Sequence, residues 1–76
     1  MIAEAESSVR NLGVELVRVR LMPGELACIE VGKTEIKKVF GLREQISRQL
    51  GEIGFHRVTL DLEGYRQGKL NYEASR

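Results

Sequence analysis

The spacing of apolar residues switches along this chain between the period of a helix and the period of a strand, and an element order follows from those switches. Ile2, Ala5, Val9 and Leu12 recur at helical spacing, while Glu4, Glu6, Arg10 and Asn11 fall elsewhere on the wheel. This pattern predicts an amphipathic helix over 1–12. Gly13 follows, where a left-handed cap favours a residue without a side chain.

Val14 to Leu21 and Glu25 to Val31 are rich in β-branched and apolar residues, and Met22-Pro23-Gly24 between them has turn chemistry, so the two runs read as a hairpin. With those three residues as the loop, Leu21 faces Glu25. Val19 then pairs with Ala27 and Val17 with Ile29 on a core face. Arg20 with Leu26, Arg18 with Cys28 and Leu16 with Glu30 fall on a polar face. Thr34 is placed to cap a short helical turn carrying Ile36, Val39 and Phe40. Gly41 interrupts, after which Leu42, Ile46, Leu50 and Ile53 resume an apolar stripe that Gly54 ends. From Arg57 to Leu62 the alternation sends Val58, Leu60 and Leu62 one way and Arg57, Thr59 and Asp61 the other, as in a third strand. The expected class is α+β: a small three-stranded, mainly antiparallel sheet with helices on one face, in the order α-β-β-α-β, and a polar face left open.

A chain of 76 residues with 42% hydrophobic and 30% charged residues suits one compact domain over 1–76, in which 63–76 reads as a loop and frayed tail. Its net charge of +1 argues against a general nucleic-acid binder, which needs a basic excess to replace phosphate counterions. The single cysteine forms no internal disulfide, and no leader pattern precedes it, so the expected compartment is the cytoplasm. No apolar run nears the roughly 20 residues of a membrane span.

The polar face holds the most unusual chemistry. Arg18, Arg20 and Arg57 are expected near Glu30 and Asp61. Converging guanidinium groups grip phosphate or carboxylate through paired hydrogen bonds, and neighbouring carboxylates orient them or bind a cation. The competing reading is a solvated face of ion pairs that neutralise one another. Glu63 to Lys69 has the donor-rich look of an anion-binding loop without the context of a nucleotide loop. Cys28 is a nucleophile only where a neighbour lowers its pKa, and His56 has no second ligand at metal spacing. No Ser-His-Asp set and no Gly-rich nucleotide motif occurs.

Four segments, "AESSVRNLG", "VRVR", "ACIEV" and "LGEIGFHRVTLDLEGYRQGKLN", taken in that order, resemble the C-terminal domain of the LarE family. These are ATP-dependent sacrificial sulfur transferases of the PP-loop type that help build a nickel-pincer nucleotide cofactor. The resemblance runs from about Ile2 to Asn71 and is most specific over Val58 to Arg66 followed by Gly68. It implies that an N-terminal domain with an SGGxDS-like loop adenylates the substrate and that a cysteine ahead of the C-terminal domain donates sulfur. Neither that loop nor that cysteine occurs in these 76 residues.

Carried over residue by residue, Arg18 and Arg20 match the family's Arg-x-Arg, Glu30 the acid of its "ARIEV" strand, and Arg66 its "GYR" loop. The chain departs from the family at three places. Cys28 stands where arginine is usual, Met22-Pro23-Gly24 replaces a shorter His-Gly turn, and Lys69-Leu70 replaces Ser-Met. The implied role is a substrate-anion-binding and assembly domain with no catalytic residue of its own, its anion ligands being Arg18, Arg20, Glu30 and Arg66. ATP is expected only in a PP-loop domain acting in cis or in trans. The expected partners are that domain and further copies of the chain, with no nucleic acid and no membrane. The alternatives are a stand-alone interaction or regulatory module that keeps only the fold, and an enzyme acting through Cys28 and His56.

Overall fold

A computed structural model describes residues 1–65. Helix α1 (Ile2–Arg10) leads into a hairpin of β1 (Val17–Met22) and β2 (Leu26–Val31). A 3₁₀ turn (Lys33–Glu35), α2 (Ile36–Gly41) and α3 (Arg43–Ile53) then carry the chain to β3 (Arg57–Leu60). The architecture is α+β, as the periodicity predicts. Strand order is β1-β2-β3, with β1 and β2 antiparallel and β2 and β3 parallel, so the sheet is mixed. A parallel pair needs a crossover of a dozen or more residues, and the two helices between β2 and β3 are that crossover.

The hairpin pairs Val17 with Val31, Val19 with Ile29 and Met22 with Leu26, two residues out of the expected register. Its loop is Pro23-Gly24-Glu25, one position later than the composition suggested, because Gly24 (φ 83°) and Glu25 (φ 54°) take up the left-handed turn. A slip of two leaves every side chain on its expected face, since the pleat repeats every second residue. Arg18 therefore opposes Glu30, not Cys28, and Arg20 opposes Cys28, not Leu26.

The core lies between the sheet and the helices. Val17, Val19, Ala27, Ile29 and Val31 meet Ala5 and Val9 of α1, Val39 of α2, and Ile46 and Leu50 of α3. Ile29 and Leu50 are fully buried, and truncating such a side chain to alanine costs about 2–5 kcal/mol. Leu60 joins from the rim of this core. Leu62 does not, being 80% exposed, because the strand stops at Leu60. There the Asp61 N–H bonds to the Ile29 carbonyl and the chain turns. Gly54, at φ 135°, ends α3 as expected.

Thr34 makes no cap. It lies inside the 3₁₀ turn, and neither that turn nor α2 has a side-chain cap bond. The next residue takes on a different task. Both Glu35 carboxylate oxygens accept the Glu15 N–H at 3.0 and 3.1 Å, and Oε1 also accepts the Leu16 N–H at 3.2 Å. These bonds, led by the one from Glu15, hold the Glu35 carboxyl below its ordinary pKa. Lys38 Nζ donates to the Gly13 carbonyl at 2.5 Å, so two side chains clamp the segment that aims β1.

Candidate functional site

Alternation along β1 puts Arg18 and Arg20 on the face away from the helices, and alternation along β2 puts Cys28 and Glu30 beside them. Arg20 Nε lies 3.0 Å from Glu30 Oε2, a diagonal cross-strand pair. Glu30 is only 3% exposed, while the Arg20 side chain is 34% exposed. The pair is thus a guanidinium lid over a buried carboxylate and not one of the solvated ion pairs of the competing reading. Removing Arg20 withdraws a cation from a buried charge, which is costly.

Arg18 stands differently, with its side chain 48% exposed. Its Nε lies 4.0 Å from Glu6 Oε2 on α1, and its guanidinium carbon 5.5 Å from the centroid of the Tyr65 ring. A carboxylate on one side and a π face on the other hold the side chain in place while half of it faces solvent. Glu6 reaches this position because its Oε2 also accepts the Val19 N–H at 3.0 Å. Val19 is on an edge strand, so the same bond covers part of an open sheet edge. Tyr65 is fixed by its own N–H, which donates to the Val31 carbonyl at 2.8 Å.

The structure therefore brings Arg18, Arg20 and Glu30 onto one face, as the alternation predicts. Asp61 joins them next to β2. Arg66 and Lys69, like residues 66–76 of the expected loop and tail, lie outside the described residues. Arg57 does not join the group: it pairs with Leu26, four strand residues from Glu30, or about 13 Å along the strand. His56 and Cys28 are likewise apart. The His56 N–H bonds to the Glu25 carbonyl, three residues or about 10 Å from Cys28, so the structure assembles no Cys-His pair. Sequence reasoning missed Glu6 and Tyr65. Each was visible only as a helix residue and a loop residue, with nothing in spacing to tie either to Arg18.

No helix among the described residues is long and apolar enough to cross a membrane. No family model matches the chain. Among curated proteins it is similar to the pyridinium-3,5-bisthiocarboxylic acid mononucleotide synthase of Lactiplantibacillus plantarum, with 39% identity over 70 residues, covering 92% of this chain and 25% of that protein. It is also similar to an uncharacterized protein of Synechocystis sp., with 42% identity over 77 aligned positions, covering 92% of this chain and 26% of that protein. The chain thus spans about a quarter of the length of the curated relatives it matches. Identity at this level over 92% of the chain makes it similar to about a quarter of a LarE-type synthase, which is consistent with a LarE C-terminal-like domain.

Proposed function

We propose that this domain holds the anionic end of a phosphorylated substrate for a LarE-type sulfur transferase in nickel-pincer cofactor synthesis, and that it makes contacts with the PP-loop domain and between subunits. The observation that carries the reading is Arg18, half-exposed yet held between Glu6 and Tyr65, beside an Arg20 that a buried Glu30 keeps in place. Guanidinium groups fixed before the ligand arrives lose little freedom on binding it, and they offer the fork geometry that phosphate accepts. The name of the L. plantarum relative specifies a mononucleotide product, whose phosphate suits such a site. Arg66 is assigned to the same site on the sequence resemblance alone. ATP chemistry belongs in this reading to a PP-loop domain supplied in cis or in trans.

The test is a titration of the isotope-labelled chain with inorganic phosphate and with a nicotinamide mononucleotide at low ionic strength. Amide shifts should centre on Arg18, Arg20, Glu30 and Tyr65, with a dissociation constant near millimolar, and should fade as salt screens charges over about 10 Å at 0.1 M. Arg18→Ala should abolish them and leave the fold intact. Arg20→Lys, which keeps the charge that Glu30 needs but loses the fork, should weaken them. Amides that stay unmoved at saturating anion would favour the stand-alone interaction module.

A further inference from the structure

We propose that Cys28, Glu30 and Asp61 form a binding site for a zinc-class divalent cation. The ligand atoms of these three residues, one thiol sulfur and two carboxylate oxygens, all lie within 4.8 Å of one another. Zinc binds sulfur at about 2.3 Å and carboxylate oxygen at about 2.0–2.2 Å in a tetrahedron, so donors around one ion stand about 3.4–3.6 Å apart, and these three groups need draw in by only about an ångström. The backbone sets the arrangement. Cys28 and Glu30 are two apart on β2 and so share a face, and the Asp61 N–H is tied to the Ile29 carbonyl between them.

Both carboxylates are oriented by bonds of the kind that surround metal ligands. Arg20 Nε holds Glu30 Oε2 at 3.0 Å, and the Glu63 N–H donates to Asp61 Oδ1 at 2.9 Å. Such bonds fix the direction in which each carboxylate presents its oxygens. Thr59 stands beside Cys28, and its hydroxyl is turned to the Ala27 carbonyl at 3.0 Å. On binding, the Cys28 thiol loses its proton to solvent and the thiolate bonds the ion. A thiolate, two carboxylates, a divalent cation and the Arg20 guanidinium then sum to zero charge around a buried Glu30 and a partly buried Cys28 and Asp61. A thiolate with carboxylates favours zinc over magnesium or calcium, which prefer oxygen alone. Three protein donors also leave a position for water or an anion. The proposal does not rest on the anion reading and can succeed or fail without it.

The experiment uses the full chain, stripped with chelator in phosphate-free buffer and titrated with Co²⁺ as a spectroscopic stand-in for Zn²⁺. The expected result is a thiolate-to-cobalt charge-transfer band that saturates at one equivalent and is displaced by Zn²⁺. Cys28→Ser should remove the band, and Asp61→Asn should weaken binding at least tenfold, with circular dichroism unchanged in both. Independently, Zn²⁺ should slow alkylation of Cys28 by iodoacetamide. The proposal is overturned by the absence of a thiolate band together with alkylation indifferent to Zn²⁺. It is equally overturned if Asp61→Asn binds as the parent does, since the cysteine would then be acting alone.

Discussion

Gly64 shows how one residue can hold the candidate site in place. Its φ is +81°, and a Cβ built on it would stand 2.9 Å from the Val31 carbonyl oxygen and 3.3 Å from Lys33 Cγ. That same oxygen accepts the Tyr65 N–H, and Tyr65 lies against Arg18. An alanine there must push on backbone and disturb the next residue's bond. Gly24 is the natural control: its φ is +83°, but nothing lies within 4 Å of its built Cβ. Gly24→Ala therefore meets only the backbone penalty, about 1 kcal/mol, whereas Gly64→Ala adds a collision and should lose about 2–4 kcal/mol. In a domain of this size each kcal/mol lowers the thermal midpoint by roughly 4–8 °C. Equal midpoints for the two variants would show that the approach to Val31 is not the constraint. The sequence marks both residues only as turn glycines, because the contact that separates them joins positions 33 residues apart.

Among the elements, the 3₁₀ turn and α2 act as a clamp on the segment entering β1. The Glu35 carboxylate is needed there in its charged form, and the bonds from Glu15 and Leu16 keep its pKa below the ordinary value. A carboxyl whose folded pKa is depressed contributes stability above its unfolded pKa, about 4.3, and loses that contribution as the pH falls through the lower folded value. Glu35→Gln should therefore melt below the parent at pH 7, and the gap should narrow progressively as the pH is lowered through and below the ordinary carboxylate range. A gap of the same size at both pH values would mean that the charge has no part in the clamp.

Much of this level was legible in advance. The faces of all three strands followed from alternation, which is why Arg18, Arg20 and Glu30 were found together despite a two-residue error in the hairpin register. The register itself turned on which of two adjacent triplets forms the loop, and Glu25 at φ 54° is a choice that propensity disfavours. The direction of β3 was not in its own residues either. A four-residue strand has the same pattern parallel or antiparallel, and the helical crossover decides. Glu6 and Tyr65 entered the site only through packing that no period encodes.

At the scale of the molecule, two surfaces differ in kind. The outer sheet face is polar and carries the arginines. On the opposite side a groove of about 640 Å³ runs between α3 and β3, lined by Val39, Phe40, Ile46, Val58 and Leu60. Arg43 lies over the exposed Phe40 ring, 4.4 Å from its centroid. Neither surface resembles a nucleotide-activating centre. Adenylation requires backbone N–H groups and cations arranged in advance around the transferring phosphoryl group. The sequence contains no phosphate-cradling G-x-x-x-x-G-K-[ST] loop, and the curated relatives have about three quarters of their length outside the match. Arg18 and Arg20 can hold an oxyanion, but each is already committed in part to a carboxylate, Glu6 or Glu30. The chain incubated with ATP, Mg²⁺ and a nicotinate mononucleotide should therefore release no pyrophosphate above buffer, even where phosphate titration shows the anion site intact. Release that scales with the amount of chain and disappears in Arg18→Ala would place the nucleotide chemistry in this domain and overturn its assignment to a PP-loop domain.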